Sequence, residues 1–366
     1  MKIAVYSIAK NEEQFVKTWY ESAKEADYLL IADTGSTDKT VELAKSLGIV
    51  CHTISVKPWR FDDARNASLS LIPSDIDYCI ALDLDEVLIP GWREELEKAT
   101  TTRPRYQYTW NWNADGSPGL QYGGDKIHAR NGYRWKHPVH EVLMPDRIDQ
   151  TEEWIKLEIH HHADNSKPRS QYMPLLAQSV QEDPYDDRNA FYYARELFFY
   201  GQYEKAEEEF KRHLELPKAV WKPERAAGMR YLGNIAATFK DKERWFIKAA
   251  EEAPDRREAW VELAKLYYEN SMWVKCYLAA ENALFIEEKP LEYLCEEWAW
   301  GYQPWDYAAI AHYQLSIFID EEDRSKYHRD MAVKFGSKAV ELGPNEPRLK
   351  TNLEFYLKEP SVGNNL

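Results

Sequence analysis

The stretch CIALDLDEVLIPGW, Cys79–Trp92, decides how the N-terminal half of the chain is read. An apolar run ends in Asp83, Leu84, Asp85 and Glu86, and apolar residues then return. Carboxylates at the end of a buried strand are costly unless something compensates their charge. Read as a continuing strand, the alternation puts Asp83 and Asp85 on one face and Leu84 on the other. Two carboxylates on one face can hold a divalent cation through oxygen ligands. Such a cation turns an acidic site into one that accepts a diphosphate.

Outward from this stretch, strand-like and helix-like pieces alternate. KIAVYSIA, DYLLIAD, IVCHTISV and DYCIALDLDE read as strands, and helical periodicity covers NEEQFVKTWYESAKEA, DKTVELAKSLG and FDDARNASLSLI. Gly48 closes the second helix. This order predicts a largely parallel sheet with helices on both faces. Ligands of such sheets sit beyond the carboxyl ends of the strands. Asn11, Asp33, Asp83 and Asp85 fall at such ends.

The chain has 366 residues, 44% of them hydrophobic and 14% aromatic, which is room for two globular domains. No apolar run is long enough to span a bilayer. The first residues, MKIAVYSIAKNEE, read as a strand and not as a signal peptide. The scattered Cys51, Cys79, Cys276 and Cys295 read as reduced thiols of a cytoplasmic protein. A net charge of −15 argues against nucleic acid or anionic membrane as the main partner. An anionic substrate therefore needs local cations or a metal.

From about Asp183 onward only helical patterns remain. Ala194, Leu197, Gly201, Tyr203, Ala206 and Phe210 fit the small and aromatic positions of a tetratricopeptide repeat. Ala264, Tyr267, Trp273 and Ala283 repeat the pattern, Pro254 marks a repeat boundary, and Ala339 with Pro344 closes a last unit. Three or four degenerate repeats are expected, the last with a long insertion. Such repeats stack and mediate binding; they can take a protein acceptor or pair two copies as a homodimer. The domains are read as 1–170 and 171–366.

Several further segments carry chemistry. In ADTGSTDKT, Ser36 and Asp38 can cap the next helix, while a carboxylate at Asp33 can accept a hydrogen bond from a base or a ribose. Arg65 can pair with Asp33, cover a base, or form a surface ion pair. Glu141, in YRWKHPVHEVL, sits among aromatic residues; apolar surroundings suit a carboxylate to general-base work, and a structural ion pair is the alternative. In LEIHHHADNSKPRSQY, a neutral imidazole among His160, His161 and His162 can complete a metal shell. Lys167 and Arg169, just after it, suit a diphosphate lid. Trp110 and Trp112, in the segment Tyr106–Gly124, can stack on a sugar or serve as hairpin core.

Taken in order, SIAKNEE, ADTGSTDKT, ARNASL, DLDE and VHE resemble the family 2 glycosyltransferases of GT-A fold, in the bacterial and phage variant with C-terminal tetratricopeptide repeats. The resemblance implies a Rossmann-like mixed sheet in an α/β catalytic domain, followed by an all-α superhelical domain. It implies a nucleotide-sugar donor, usually UDP-linked, a glycan or protein acceptor, and Mn²⁺ or Mg²⁺ held by the D-x-D motif. By position, Ala9, Asn11 and Glu12 approach the nucleotide, and Asp33 and Arg65 belong to the nucleoside pocket. Asp83 and Leu84 lie near the ribose, with Asp83 also near the metal. Asp85 is the direct metal ligand, His161 and His162 fit the metal site best by spacing, Lys167 and Arg169 meet the diphosphate, and Glu141 is the candidate base. Thr34 stands where many members carry a second aspartate, and His140-Glu141 replaces the usual Glu-Asp base motif. A repeat scaffold that binds nucleotide-sugar without turnover is the alternative. A nucleotidyltransferase would show a glycine-rich loop after the first strand, and SIAKNEE has no glycine.

Overall fold

The computed structural model describes residues 1–113, 115–164 and 172–358. It divides into two compact units, Met1–Pro184 and Tyr185–Leu366. The helix Tyr172–Glu182, which the sequence reading gives to the repeats, belongs to the first unit.

The first unit runs β1 (Ile3–Ala9), α1 (Val16–Ala23), β2 (Tyr28–Asp33), α2 (Thr40–Ser46), β3 (Val50–Thr53), α3 (Phe61–Ser70) and β4 (Tyr78–Ala81). It continues through β5 (Glu86–Leu88), α4 (Trp92–Leu96), β6 (Arg103–Thr109), β7 (Gln121–Gly124), β8 (Ile127–Ala129), β9 (Tyr133–Lys136), β10 (Val142–Pro145), β11 (Glu152–His161) and α5 (Tyr172–Glu182). The main sheet has the order β3-β2-β1-β4-β8. Its first four strands are parallel, and β8 joins antiparallel to β4. Alternate residues of β1 feed two cores: Ile3 and Val5 pack with Trp19, Ile31 and Ile80, whereas Ala4 and Tyr6 pack with Leu30, Leu69 and Trp135. A sheet buried on both faces needs this continuous apolar run rather than a polar alternation. Gly48 ends α2 at φ +79°, a left-handed conformation that glycine adopts without side-chain strain.

A second sheet, β5-β11-β6-β7, stands beside the first. It is mixed: β11 runs antiparallel to β5 and parallel to β6. A separate hairpin pairs β9 with β10. The sequence reading extends the fourth strand through DLDE, but β4 ends at Ala81 and residues 83–86 form a turn closed by Glu86 N–H donating to the Asp83 carbonyl at 2.9 Å. Strand alternation therefore does not govern Asp83 and Asp85.

The second unit contains α6 (Asp187–Phe199), α7 (Tyr203–Glu215), α8 (Lys222–Ile235), α9 (Phe239–Glu252), α10 (Glu258–Glu269), α11 (Trp273–Leu284), the short α12 (Glu297–Trp300), α13 (Gln303–Phe318), α14 (Glu322–Leu342) and α15 (Pro347–Leu357). The first helices of the first three pairs begin about 35 residues apart, the spacing of a tetratricopeptide repeat. Ala194, Leu197, Ala206, Phe210, Ala264, Ala283 and Ala339 are buried where helices of a pair meet. Gly201 makes the first tight turn at φ +70°. Asp186 and Thr238 cap α6 and α9 by accepting the Asn189 and Asp241 N–H groups. The long insertion expected inside the last repeat is not there, because α14 begins at Glu322 soon after α13 ends at Phe318; the insertion lies before that pair, between α11 and α13. Among the described residues, no helix is long and apolar enough to cross a membrane.

Glu224, on α8, is buried and accepts a hydrogen bond from the Tyr293 hydroxyl. Burial pushes its carboxyl up to about 7, with Tyr293 and Arg188 working against the shift. A folded-state value above the ordinary 4.5 means the native protein binds the proton more tightly than the unfolded chain. Its contribution is therefore complete below about pH 4.5 and is lost as pH rises through about 7. Glu224→Gln should remove this loss: thermal melts from pH 5 to pH 8 should show the variant gaining on the wild type as pH rises. A constant difference between the two curves would contradict the assignment.

Candidate active site

The carboxyl ends of β1, β2 and β4 open on one side of the sheet, and three connections meet there. The Asn11 backbone takes φ +56° after β1, which lets its N–H donate to Ser36 Oγ at 2.9 Å while its side-chain oxygen accepts Thr37 N–H at 2.7 Å. Glu12 N–H donates to Thr40 Oγ1 at 2.7 Å. Asp33, buried at the end of β2, accepts the Gly35 N–H at 3.1 Å and the Ser36 N–H at 3.2 Å. Asp33 thus shapes the loop itself. The expected helix capping falls to Asp38, whose carboxylate accepts Thr40 N–H at 3.0 Å; Ser36 serves Asn11 instead.

Arg65 holds the centre. It projects from α3, is buried, and lies with its guanidinium 5.0 Å from the centre of the Trp135 ring. Nη2 donates to Asp83 at 2.8 and 3.1 Å, and Nε donates to Glu141. Nη1 is buried and, among the described residues, has no hydrogen-bond partner. Pairing with Asp33 is one of the alternatives the sequence leaves open for Arg65; the structure pairs it with Asp83 and Glu141 instead. Glu141 lies just before β10, so the apolar setting expected for it is replaced by an ion pair. Trp135 is itself fixed by donating from Nε1 to the Tyr6 hydroxyl at 2.8 Å.

Lys126, between β7 and β8, completes the cluster, and sequence reasoning missed it. Its ammonium donates to Asp83 at 2.8 Å and to Glu86 at 2.9 Å. Glu86 is buried, accepts from the Tyr108 hydroxyl at 2.6 Å and receives the Asp83 N–H at 2.9 Å. Burial resists the charge on Asp83, but Arg65 and Lys126 outweigh it and hold its carboxyl well below the usual range. Burial raises the Glu86 carboxyl, Lys126 opposing and Asp83 adding to the shift. The only local hint of Lys126 is a lone cation after Gly123, Gly124 and Asp125.

Asp85 faces another partner. Its Oδ2 lies 3.3 Å from His161 Nε2, and His161 Nδ1 lies 2.9 Å from the Trp110 carbonyl. Burial disfavours the imidazolium, but the Asp85 hydrogen bond and charge prevail and raise the His161 pKa. Burial, then the neighbouring imidazoles, lower that of His162. Trp110 stacks on His161 at 4.5 Å between ring centres, and Trp112 lies parallel to His162 at 5.7 Å. A cleft of about 400 Å³ is lined by Gln14, Phe15, Thr18, Leu84, Asp85, Val87 and His162. Among the described residues, no three His, Cys, Asp or Glu side chains converge as a metal-binding group. The four expected ligands divide: Asp85 meets His161, His162 lies against Trp112, and Asp83 is engaged by Arg65 and Lys126. Lys167 and Arg169 lie outside the described residues.

Residues 5–142 match the family described as glycosyl transferase family 2. The α/β unit carries a glycosyl transferase family 2 domain. The match runs from β1 to the start of β10 and contains Asp33, Arg65, Asp83, Asp85, Lys126 and Glu141. An uncharacterized glycosyltransferase of Rickettsia bellii (strain RML369-C) is 32% identical over 108 residues, covering 29% of this chain and 35% of that protein. Another, of Rickettsia prowazekii (strain Madrid E), is 30% identical over 109 residues, covering 29% and 36%. The chain thus spans about a third of the length of these curated relatives. Among solved structures, YrrB, a tetratricopeptide repeat protein with an unusual peptide-binding site, is 13% identical with a TM-score of 0.37, covering 50% of this chain and 81% of its own. Glucosyl-3-phosphoglycerate synthase of Mycobacterium tuberculosis, solved with Mn²⁺, UDP and glucosyl-3-phosphoglycerate, is 24% identical with a TM-score of 0.25, covering 29% and 44%.

Removing one partner from a buried ion pair leaves an uncompensated charge. Arg65→Met should therefore lower stability by about 3–5 kcal/mol, read as a shift in the urea midpoint. Asp83→Asn in the same chain should restore part of the loss. An unshifted midpoint in the single variant would contradict the central role given to Arg65.

Proposed function

We propose that the protein transfers a sugar from a nucleoside diphosphate, UDP being the donor base the family resemblance implies, to an acceptor hydroxyl on a glycan or protein. The observation that carries this reading is the Asp85–His161 pair at the mouth of a glycosyl transferase family 2 domain. A carboxylate oxygen and an imidazole nitrogen already face each other there. The carbonyl bonded to His161 Nδ1 orients the ring so that Nε2 points to Asp85, the outer-sphere arrangement that histidine ligands use. This donor pair fits Mn²⁺ or Mg²⁺, hard cations that keep other positions for phosphate oxygens and water. Asp85 and His161 would hold the cation, His162 lines the adjacent cleft, and the bound cation would supply charge stabilisation to the leaving diphosphate.

The remaining steps belong to the chain's own residues. Asp83, fixed by Arg65 and Lys126, is a preorganised acceptor for a ribose hydroxyl. Arg65 Nη1 is a spare buried donor beside it. Asn11 and Glu12 border the nucleotide, and Asp33 holds the loop over which the base would lie. Glu141 accepts the proton of the attacking hydroxyl, while Arg65 keeps its carboxylate in place. Trp110 and Trp112 offer aromatic faces near the acceptor side. The four cysteines are free thiols, as a reducing cytoplasm requires.

Incubation with a panel of nucleotide-sugars and Mn²⁺, followed by assay of diphosphate release, tests the reading directly. Asp85→Ala, or chelation with EDTA, should abolish turnover; full activity with EDTA present would remove the cation from the reaction. Glu141→Gln should lower kcat by about 10²–10⁴, the usual contribution of one general base, with donor affinity nearly unchanged. Near-wild-type kcat would exclude Glu141 as the base.

A further inference from the structure

The insertion between α11 and α13 is more than a connection. Residues Glu287–Trp300 include Glu287, Glu288, Glu292, Glu296 and Glu297, together with Tyr293, Trp298 and Trp300. Its only helix among the named elements is the four-residue α12. Its partners come from the first helices of three successive pairs. Tyr293 stacks parallel to Tyr192 of α6 at 6.1 Å and donates from its hydroxyl to Glu224 of α8. Glu296 accepts from Arg230 of α8 at 2.8 Å, and the Arg230 guanidinium lies 5.4 Å from the Trp298 ring centre. Glu258, at the start of α10, accepts both the Glu296 N–H and the Trp300 Nε1–H at 3.0 Å. Just before α10, Arg256 pairs with Glu292 and donates to Cys295 Sγ at 2.7 Å, while Arg257 stacks on Trp300 at 4.4 Å. Leu294, Cys295 and Ala299 are buried as apolar anchors.

This is how a peptide is held in trans: acidic groups paired with arginines, aromatic anchors in pockets, and little regular structure of its own. Helix-pair stacks expose extended faces suited to such ligands. We propose that the first-helix surface of α6, α8 and α10 is a receptor for an acidic, aromatic peptide, and that the chain's own residues Glu287–Trp300 occupy it as a built-in ligand. The surface is closed to outside peptides while the segment is seated. The arginines of these contacts are buried, whereas Glu292 and Glu296 of the segment stay partly exposed; among the described residues, Arg230 Nε and Arg256 Nε have no hydrogen-bond partner. Ion pairs with one partly exposed member add little to the stability of a fold. A segment held in this way can leave without unravelling the helices beneath it.

The experiment uses the full chain. In one variant, residues 287–298 are replaced by a glycine-serine linker of equal length. A fluorescent synthetic peptide of sequence 287–300 should show saturable binding to this variant, at least tenfold tighter than to the wild type. Arg230→Met in the linker variant should abolish that binding. Equal binding to wild type and variant, or no binding to a linker variant that retains its helical circular dichroism, would overturn the proposal. So would a linker variant that fails to fold, because the segment would then be integral core. Hydrogen exchange on the unmodified chain gives an independent reading. Amides of residues 291–297 should exchange at least tenfold faster than those at the centres of α8 and α10. Exchange in step with those helices would mean that the segment opens only with the whole unit, and the proposal would fail.

Discussion

The α/β unit depends on one buried guanidinium. Arg65 joins three parts of the chain that are remote in sequence: α3, the turn after β4 and the loop before β10. Taking an arginine out of water costs several kcal/mol, and only well-placed carboxylates offset that cost. Two of them, Asp83 and Glu141, do so, and the Trp135 ring covers the guanidinium face. The same side chain therefore sets where the candidate nucleotide-side carboxylate stands relative to the candidate base. Trp135 is in turn tied to Tyr6 of β1, so the arrangement rests on the central strand of the sheet. A chain with net charge −15 keeps these acids together only because Arg65 and Lys126 are inserted between them.

Much of this was legible in the residue order. Each parallel strand is a short apolar run, and polar residues follow where the strand leaves the sheet; that pattern located β1 to β4 and the mouth of the site. The second sheet was not legible, because β5 and β11 are short or alternating pieces that meet only through tertiary pairing, His161 opposite Glu86. The DLDE turn was misread for a related reason. Leu82 and Leu84 are both buried, as in a continuing strand, but the chain has already turned. What fixes the turn is Glu86, whose carboxylate accepts the Asp83 N–H and is itself held by Lys126 and Tyr108. No local pattern announces a turn stabilised from β6 and from the connection between β7 and β8. Lys126 escaped notice for the same reason, having no motif around it.

The repeats were easier to read because their signal is steric. Alanine at fixed spacing is required wherever two helices approach closely, and Ala194, Ala206, Ala264 and Ala283 are all buried. The insertion carried no such periodicity. Its role depends on which arginines of distant helices face it, and sequence spacing does not report that. Glu224 illustrates the difficulty: near a helix start it could as well face solvent, yet it is buried, and burial raises its proton affinity even though the Tyr293 hydroxyl opposes the shift.

The two aspartates of DLDE end with different kinds of compensation, and that difference organises the site. Asp83 is balanced by two fixed cations of the protein, both covalently part of the chain and both charged at neutral pH. Its charge is therefore spent whether or not anything binds, which suits a group that orients a neutral hydroxyl. Among the described residues, Asp85 has an imidazole opposite it, at 3.3 Å. An imidazole can give up its proton and become a lone-pair donor, so under the proposed function this partner would change from a competitor for Asp85 into a co-ligand. A carboxylate neutralised by fixed cations attracts no further cation but still accepts hydrogen bonds; one held by an exchangeable partner keeps its charge available. The sequence gives both residues the same letter, and it is the buried arginine and lysine beside one of them, with the histidine beside the other, that give them separate work.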